Sequence, residues 1–150
     1  MKPSETETVI LEIYLAKYIQ VRLTNLFLIY VTKPFTDFID FFESRRVRCH
    51  LRHQKMKQLV CDHLSRFLKE NVTVLSIGDL LEIDMGEEKL MDNKKVMVGT
   101  GVTSLLQEMG MGRESPEVRP FMDSVFRFYI KSSQALLKYF KVPLSSRILR

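Results

Sequence analysis

The sequence predicts a mainly α protein, a helical bundle of about five helices joined by an irregular acidic linker. Three observations predict it. Apolar residues recur at three- and four-residue steps along three long stretches, about 5–32, 45–70 and 116–140. Helix-start signals stand before the first and last of them. Only six glycines and five prolines fall in 150 residues, which leaves few breaks and no long flexible linker. That length suffices for one hydrophobic core, so 1–150 is read as a single helical domain or domain fragment.

Ser4-x-x-Glu7 has the capping-box pattern, with a hydroxyl and a carboxylate placed to satisfy backbone N–H groups of the first turn. The helix it opens becomes apolar nearly all round from Leu23 to Val31, which predicts a buried, central helix. Glu12, Lys17 and Arg22 lie well inside the apolar run Val9–Val31, and each is costly at a bilayer centre, so no membrane span is expected. The polar N-terminus is no signal peptide. Pro34 is expected to interrupt the helix, with a short aromatic helix from Phe35 to Glu43 after it. Ser44 can cap the second long helix, where Cys49, His53, Met56, Val60, His63 and Phe67 share one face. Arg48, Arg52, Lys55, Arg66 and Lys69 lie together on the other side.

Residues 71–99 are irregular. Val72–Leu75 reads as a short extended stretch and Ile77–Ile83 as a short helix, and the acidic run Glu82–Asp92 reads as an exposed loop. Thr100 or Thr103 caps a helix to about Glu108, ended by Gly110 and Gly112. Ser115–Pro116–Glu117 combines a cap, a proline at the first position and an acid in the first turn. The helix it opens carries Val118, Met122, Val125, Tyr129, Ser132, Leu136 and Phe140 on one stripe, and Pro143 is expected to end it. Residues 144–150 begin a further amphipathic element, as expected of a truncated piece.

The charge is polarised. Net charge is +5, yet eight basic residues face Asp62 alone between Arg45 and Lys69, and six acidic residues face Lys89 alone between Asp79 and Asp92. One sign of charge on a helix face can follow a phosphate backbone, which makes Arg48, Arg52, Lys55, Arg66 and Lys69 the candidate nucleic-acid contacts. Aromatic interleaving on that face is poor, so stacking on single strands is not indicated. The competing explanation is a solvated face, or one neutralised by the acidic segment.

No catalytic constellation is legible. Cys49, His50, His53, Cys61 and His63 match no zinc-module spacing and lack a C-x-x-C pair, so no metal is expected and His53 and His63 read as core or interface histidines. Two cysteines imply no disulfide framework and fit an intracellular setting. The local acidic cluster has nothing to position it around a metal. Gly99–Ser104 approximates G-x-G-x-x-G, but no strong strand precedes it, and the start of a helix explains it. No nucleophile motif is present, no cofactor or small-molecule substrate is indicated, and the chain is not expected to be an enzyme.

The order of features resembles one family. "LFLIYVTKPFTDFIDFF" runs into "VRCHLRHQKMKQLVCDHLSRFLKENV", followed by an acidic linker, "VMVGTGVTSLLQE" and "FMDSVFRFYIKSSQALLKYFKVPLSSRIL". This is similar to the helical region of hAT-superfamily transposases and their domesticated relatives, over about Leu26–Leu149. The resemblance implies part of the long helical insertion that separates the second and third carboxylates of an RNase H-like catalytic core. No position matches a catalytic carboxylate of that family, so none is assigned. The family's zinc finger and dimerisation region have no counterpart here. The implied product is a non-catalytic scaffold or interaction surface in a nuclear setting, with a protein partner or self-association and a DNA backbone contact through the five basic residues. The alternative is an unrelated intracellular helical interaction module.

Overall fold

A computed structural model of the chain describes residue 2 and residues 4–43 and 49–148, with the backbone alone at 49, 50 and 141–148. Among the described residues there are five α-helices and no strand: α1 (Glu5–Glu43), α2 (Cys49–Ser65), α3 (Ile77–Leu81), α4 (Thr100–Glu108) and α5 (Arg119–Ile148). The mainly α fold class therefore stands. No helix among them is long and apolar enough to cross a membrane. The chain forms two compact units, one from Met1–Val31 with Val98–Ser124, the other from Thr32–Met97 with Val125–Arg150.

The expected helix limits shift in each long stretch. Pro34 does not end α1, which runs on to Glu43. A proline withholds one i→i−4 bond and costs about 3 kcal/mol inside a helix, a local cost that other bonds can offset. Here Thr36 Oγ1 donates to the Thr32 carbonyl (3.2 Å) and Lys33 pairs with Asp37 (3.5 Å), both spanning the proline. The expected break at Pro143 is likewise absent, since α5 continues to Ile148 and takes up most of the expected separate 144–150 element. At its other end α5 starts at Arg119 rather than Pro116. A helix begun at Pro116 would need an N–H at Pro120 for its second bond, to the Pro116 carbonyl, and Pro120 has none. Instead Val118 and Arg119 both donate to the Ser115 carbonyl (2.9 and 3.0 Å), while Ser115 Oγ accepts from the Gly112 N–H (3.1 Å).

The second helix ends at Ser65 and not near residue 70. Leu68 forms an isolated antiparallel bridge with Leu90, and the Lys69 N–H donates to the Lys89 carbonyl (2.9 Å). The Met91 N–H donates to Phe67 (2.8 Å) and the Met97 N–H to Arg66 (3.0 Å). These partners draw residues 66–69 out of the helical path. The expected cap at Ser44 lies outside the described residues. Val72–Val74 is a 3-10 turn capped by the Asn71 side chain rather than an extended stretch, because Asn71 Oδ1 accepts from the Thr73 N–H (3.2 Å).

In the first unit, Leu23, Phe27 and Val31 form the buried stripe of α1. Phe27 meets Phe121 edge-on, with centroids 6.1 Å apart, and Gln20 Nε2 donates to the Glu117 carbonyl. Val102, Leu105, Leu106, Val118 and Met122 complete this core. The capping box at Ser4 forms as expected: Ser4 N–H donates to Glu7 Oε2 (3.0 Å) and Glu7 N–H to Ser4 Oγ (3.3 Å). Gly99, not Thr100 or Thr103, is the N-cap of α4, at φ 94°. A Cβ there would lie 2.7 Å from Tyr30 Cγ. The C-terminal end closes as a Schellman motif: Gly110 at φ 63° donates to Gln107, and the Met111 N–H donates to Leu106.

In the second unit, Val60, His63, Leu64 and Phe67 pack with Leu80, Val96, Val125, Tyr129 and Phe140 in the core. Tyr129 stacks on Phe67 (5.1 Å, 10°) and its hydroxyl donates to the Met97 carbonyl (2.6 Å). The irregular segment is thereby fastened to the helices, and its acidic part, including the 3-10 turn Glu87–Lys89, stays exposed as expected.

The two positive-φ glycines should respond differently to alanine. Gly110→Ala meets open space and should cost about 1–2 kcal/mol for the backbone conformation alone. Gly99→Ala adds a clash with Tyr30 and should cost more, as read from urea midpoints. Equal losses at the two sites would refute the close approach of Tyr30.

Candidate functional site

The five candidate basic residues do not form one helical stripe. Arg48 lies outside the described residues. Arg52 is exposed on α2. Lys55 is half-buried, with its ammonium 4.7 Å above the Phe41 ring. That cation–π contact holds the charge against an aromatic face rather than extended to solvent. Arg66 and Lys69 fall beyond the end of α2, in the segment bonded to residues 89–91 and 97. Glu87, Glu88 and Asp92 are exposed on that neighbouring segment, so acid runs alongside base here. No described acidic side chain is within ion-pair distance of Arg52 or Lys69. Of the four described, Arg52 and Lys55 stand on α2 and Arg66 and Lys69 beyond its end, because the turn after Ser65 ends the helical register that would align them.

Lys55 also lines a shallow groove of about 270 Å³ between the last turns of α1 and α2, with Pro34, Phe38, Phe41, Leu59 and Asp62. The groove mixes aromatic walls with single charges of both signs.

The histidines read as core residues. His63 is 2% exposed, enclosed by the rings of Phe35, Phe67 and Tyr129 at centroid distances of 5.5, 6.5 and 5.3 Å. Its Nε2 lies 2.8 Å from Ser132 Oγ. The Ser132 hydroxyl donates onward to the Tyr129 carbonyl (3.2 Å), so Nε2–H is the donor to Ser132 and the imidazole is in no position to take the serine proton. Burial pushes the His63 pKa down to about 4, and the nearby Arg66 charge adds to the effect. His53 stacks on Phe140 (5.5 Å, 26°). Cys61 is buried, with Sγ 3.7 Å from the Val72 carbonyl, and burial raises its thiol pKa. The side chains of Cys49 and His50 lie outside the described residues, and no group of three or more His, Cys, Asp or Glu side chains gathers among the described ones.

The apolar first helix, which in sequence also suggests exposed surface seeking a partner, is the main departure from the expected burial. The expectation of a buried central helix holds for its Leu23–Val31 part on one face only. Val9, Ile10, Leu11, Ile13, Tyr14, Leu15, Tyr18 and Val21 are each more than half exposed, and Leu28 and Ile29 follow on the outer side. Composition alone conceals this, since an apolar run reads the same whether its own chain or another surface covers it.

Comparison with family models, with curated proteins and with solved structures finds no match.

His63 makes the second unit acid-sensitive in a defined window. Its folded pKa lies below the 6.5 of a free imidazole, so its contribution is complete above pH 6.5 and is lost as pH falls from 6.5 towards 4. The loss should reach about 3 kcal/mol, seen in urea unfolding against pH. His63→Gln keeps a donor for Ser132 without the titration, and its stability should fall less over the same window. Parallel pH profiles for the two proteins would refute the assignment.

Proposed function

We propose that the chain is a non-catalytic helical scaffold or interaction module, descended from the helical insertion of a hAT-type transposase and nuclear in setting, whose working surface is the outer face of α1. One observation carries the mode of action: eight large apolar side chains between Val9 and Val21 stand more than half exposed on a helix whose later part, Leu23–Val31, is anchored in the core. Contiguous apolar surface of this extent is characteristic of protein association. The motif order described above supports the descent. An unrelated interaction module would use the same surface and differs in ancestry alone; translated genomic sequence flanking the chain separates the two, since remnants of the transposase core belong to the first.

Contact with a DNA backbone is the lesser part of the proposal. Arg52 and Lys69 are the exposed members of the described set, Lys55 is drawn onto Phe41, and Lys69 sits beside the acidic segment. That arrangement favours protein contact over phosphate contact.

Two measurements test this. A photo-crosslinking phenylalanine analogue in place of Tyr14, which is 72% exposed, should give protein adducts in cells well above those from the exposed position Gln134. No excess at Tyr14 would overturn the interaction surface. Binding to duplex DNA, followed across a salt series, should show a log–log slope of only about −2, as two phosphate contacts give. Arg52→Glu should halve it, and absence of binding at low salt would remove the DNA contact.

A further inference from the structure

The outer face of α1 has a finer pattern than exposure alone. Leu11, Tyr14, Tyr18, Val21, Asn25 and Leu28 follow one another at alternating three- and four-residue steps. That is the seam of a two-helix coiled coil, with Leu11, Tyr18 and Asn25 at one core position and Tyr14, Val21 and Leu28 at the other. All six are exposed, and all lie within the first unit. The buried stripe Leu23, Phe27 and Val31 occupies the opposite side, so the seam is additional to the chain's own core. We propose that this seam pairs α1 with α1 of a second copy of the chain, in antiparallel orientation. The inference rests on the interaction surface proposed above and names its occupant.

Self-complementarity argues for a second copy. Antiparallel pairing that sets Leu11 against Leu28 also sets Tyr14 against Asn25 and Tyr18 against Val21, each layer occurring twice by symmetry. Large residues then meet smaller ones, and the one amide in the seam meets a phenol that can hydrogen-bond it, which avoids leaving either unpaired. The flanking charges select orientation and register. Lys17 and Arg22 border the seam on its two sides, and the Arg22 guanidinium lies 5.8 Å above its own Tyr18 ring. Parallel pairing brings Lys17 beside Arg22 of the second copy, a like-charge contact made twice. Antiparallel pairing slipped by one heptad brings Lys17 beside Lys17. The register described instead places Lys17 beside Thr24 and Arg22 beside Leu15, with no like-charge contact. The area also suits a dimer. With Ile10, Leu15 and Ile29 on its borders the seam exposes roughly 600 Å² of apolar side chain, most of the roughly 800 Å² per partner of a standard interface.

Sedimentation equilibrium of the full chain should show a dimer at micromolar concentration. Val21→Glu places a carboxylate in two seam layers and should weaken the dimer by 100-fold or more with helicity unchanged by circular dichroism. Lys17→Glu should leave dimerisation within about twofold, since Lys17 faces Thr24. Tightening of about tenfold in that variant would mean a new pair with Arg22 and would overturn the antiparallel orientation. A dimer insensitive to Val21→Glu would overturn the seam. A monomeric wild type whose Tyr14 analogue crosslinks another protein would overturn self-pairing and leave the interaction surface standing, whereas no adduct at Tyr14 would overturn both.

Discussion

The second unit depends on one side chain, Tyr129. Its ring lies flat on Phe67 and edge-on to His63, so it joins α5 to the end of α2, and its hydroxyl reaches the Met97 carbonyl. The segment it fastens has no sheet or long helix to satisfy its backbone. Residues 66–97 instead find partners singly: the Leu68–Leu90 bridge, the Met97 N–H on Arg66, the Asn71 and Ser76 side-chain caps. A buried backbone group without a partner costs as much as a lost hydrogen bond, so such a segment can adjoin a core only where donors come to meet it. Tyr129 brings one of them from the centre of a helix, fully buried, where few alternative positions exist for its ring. The ordered path of the acidic stretch, and the early end of α2, follow from that anchoring.

The first unit faces a different constraint. Its core is small, drawn from the Leu23–Val31 stripe, α4 and the first turns of α5, and it covers one side of α1 only. The turns from Glu5 to Tyr18 have nearly every side chain exposed in the chain itself. An isolated helix of that length is marginal in water, so its apolar residues neither hold it by propensity nor find a core of their own. The capping box at Ser4 fixes where the helix begins, and the buried stripe fixes its far end. Between them the helix runs uncovered, with its backbone bonds as its only support.

Periodicity made the helices and their buried faces legible. The expected stripe of the last helix is buried at Val118, just before α5, and at Met122, Val125, Tyr129 and Phe140 on it; that of the second is buried at Val60 and His63 on α2 and at Phe67 just beyond it. Boundaries were less legible because they rest on single hydrogen bonds. Pro34 and Pro143 promise breaks, but a proline removes one bond from a helix that has many, whereas Pro120 moves a start because the bond it lacks falls in the first turn, where few others hold the helix. The end of α2 was hidden altogether, since the bonds that stop it come from residues twenty or more positions away. The expected basic stripe is broken for the same reason: its alignment assumed a helical register through residue 69, and the turn after Ser65 ends that register. For α1 the sequence suggested both a buried helix and surface seeking a partner, as hydrophobic patterning shows which faces seek cover without showing what provides it.

The fold also changes what the charge means. Along the chain, base and acid are separated by some ten residues, which reads as a polarised molecule. In space, residues 66–69 run against residues 89–91 through direct backbone bonds, so the two signs are neighbours there. Opposite charges set side by side cancel beyond roughly a Debye length, about 8 Å at physiological salt, and the field left to steer a phosphate backbone is correspondingly weak. The apolar face of α1 is subject to no such cancellation. Attraction of such a face for other apolar surface is short-ranged, insensitive to moderate salt and proportional to the area covered, whereas any field from the basic residues weakens as ionic strength rises.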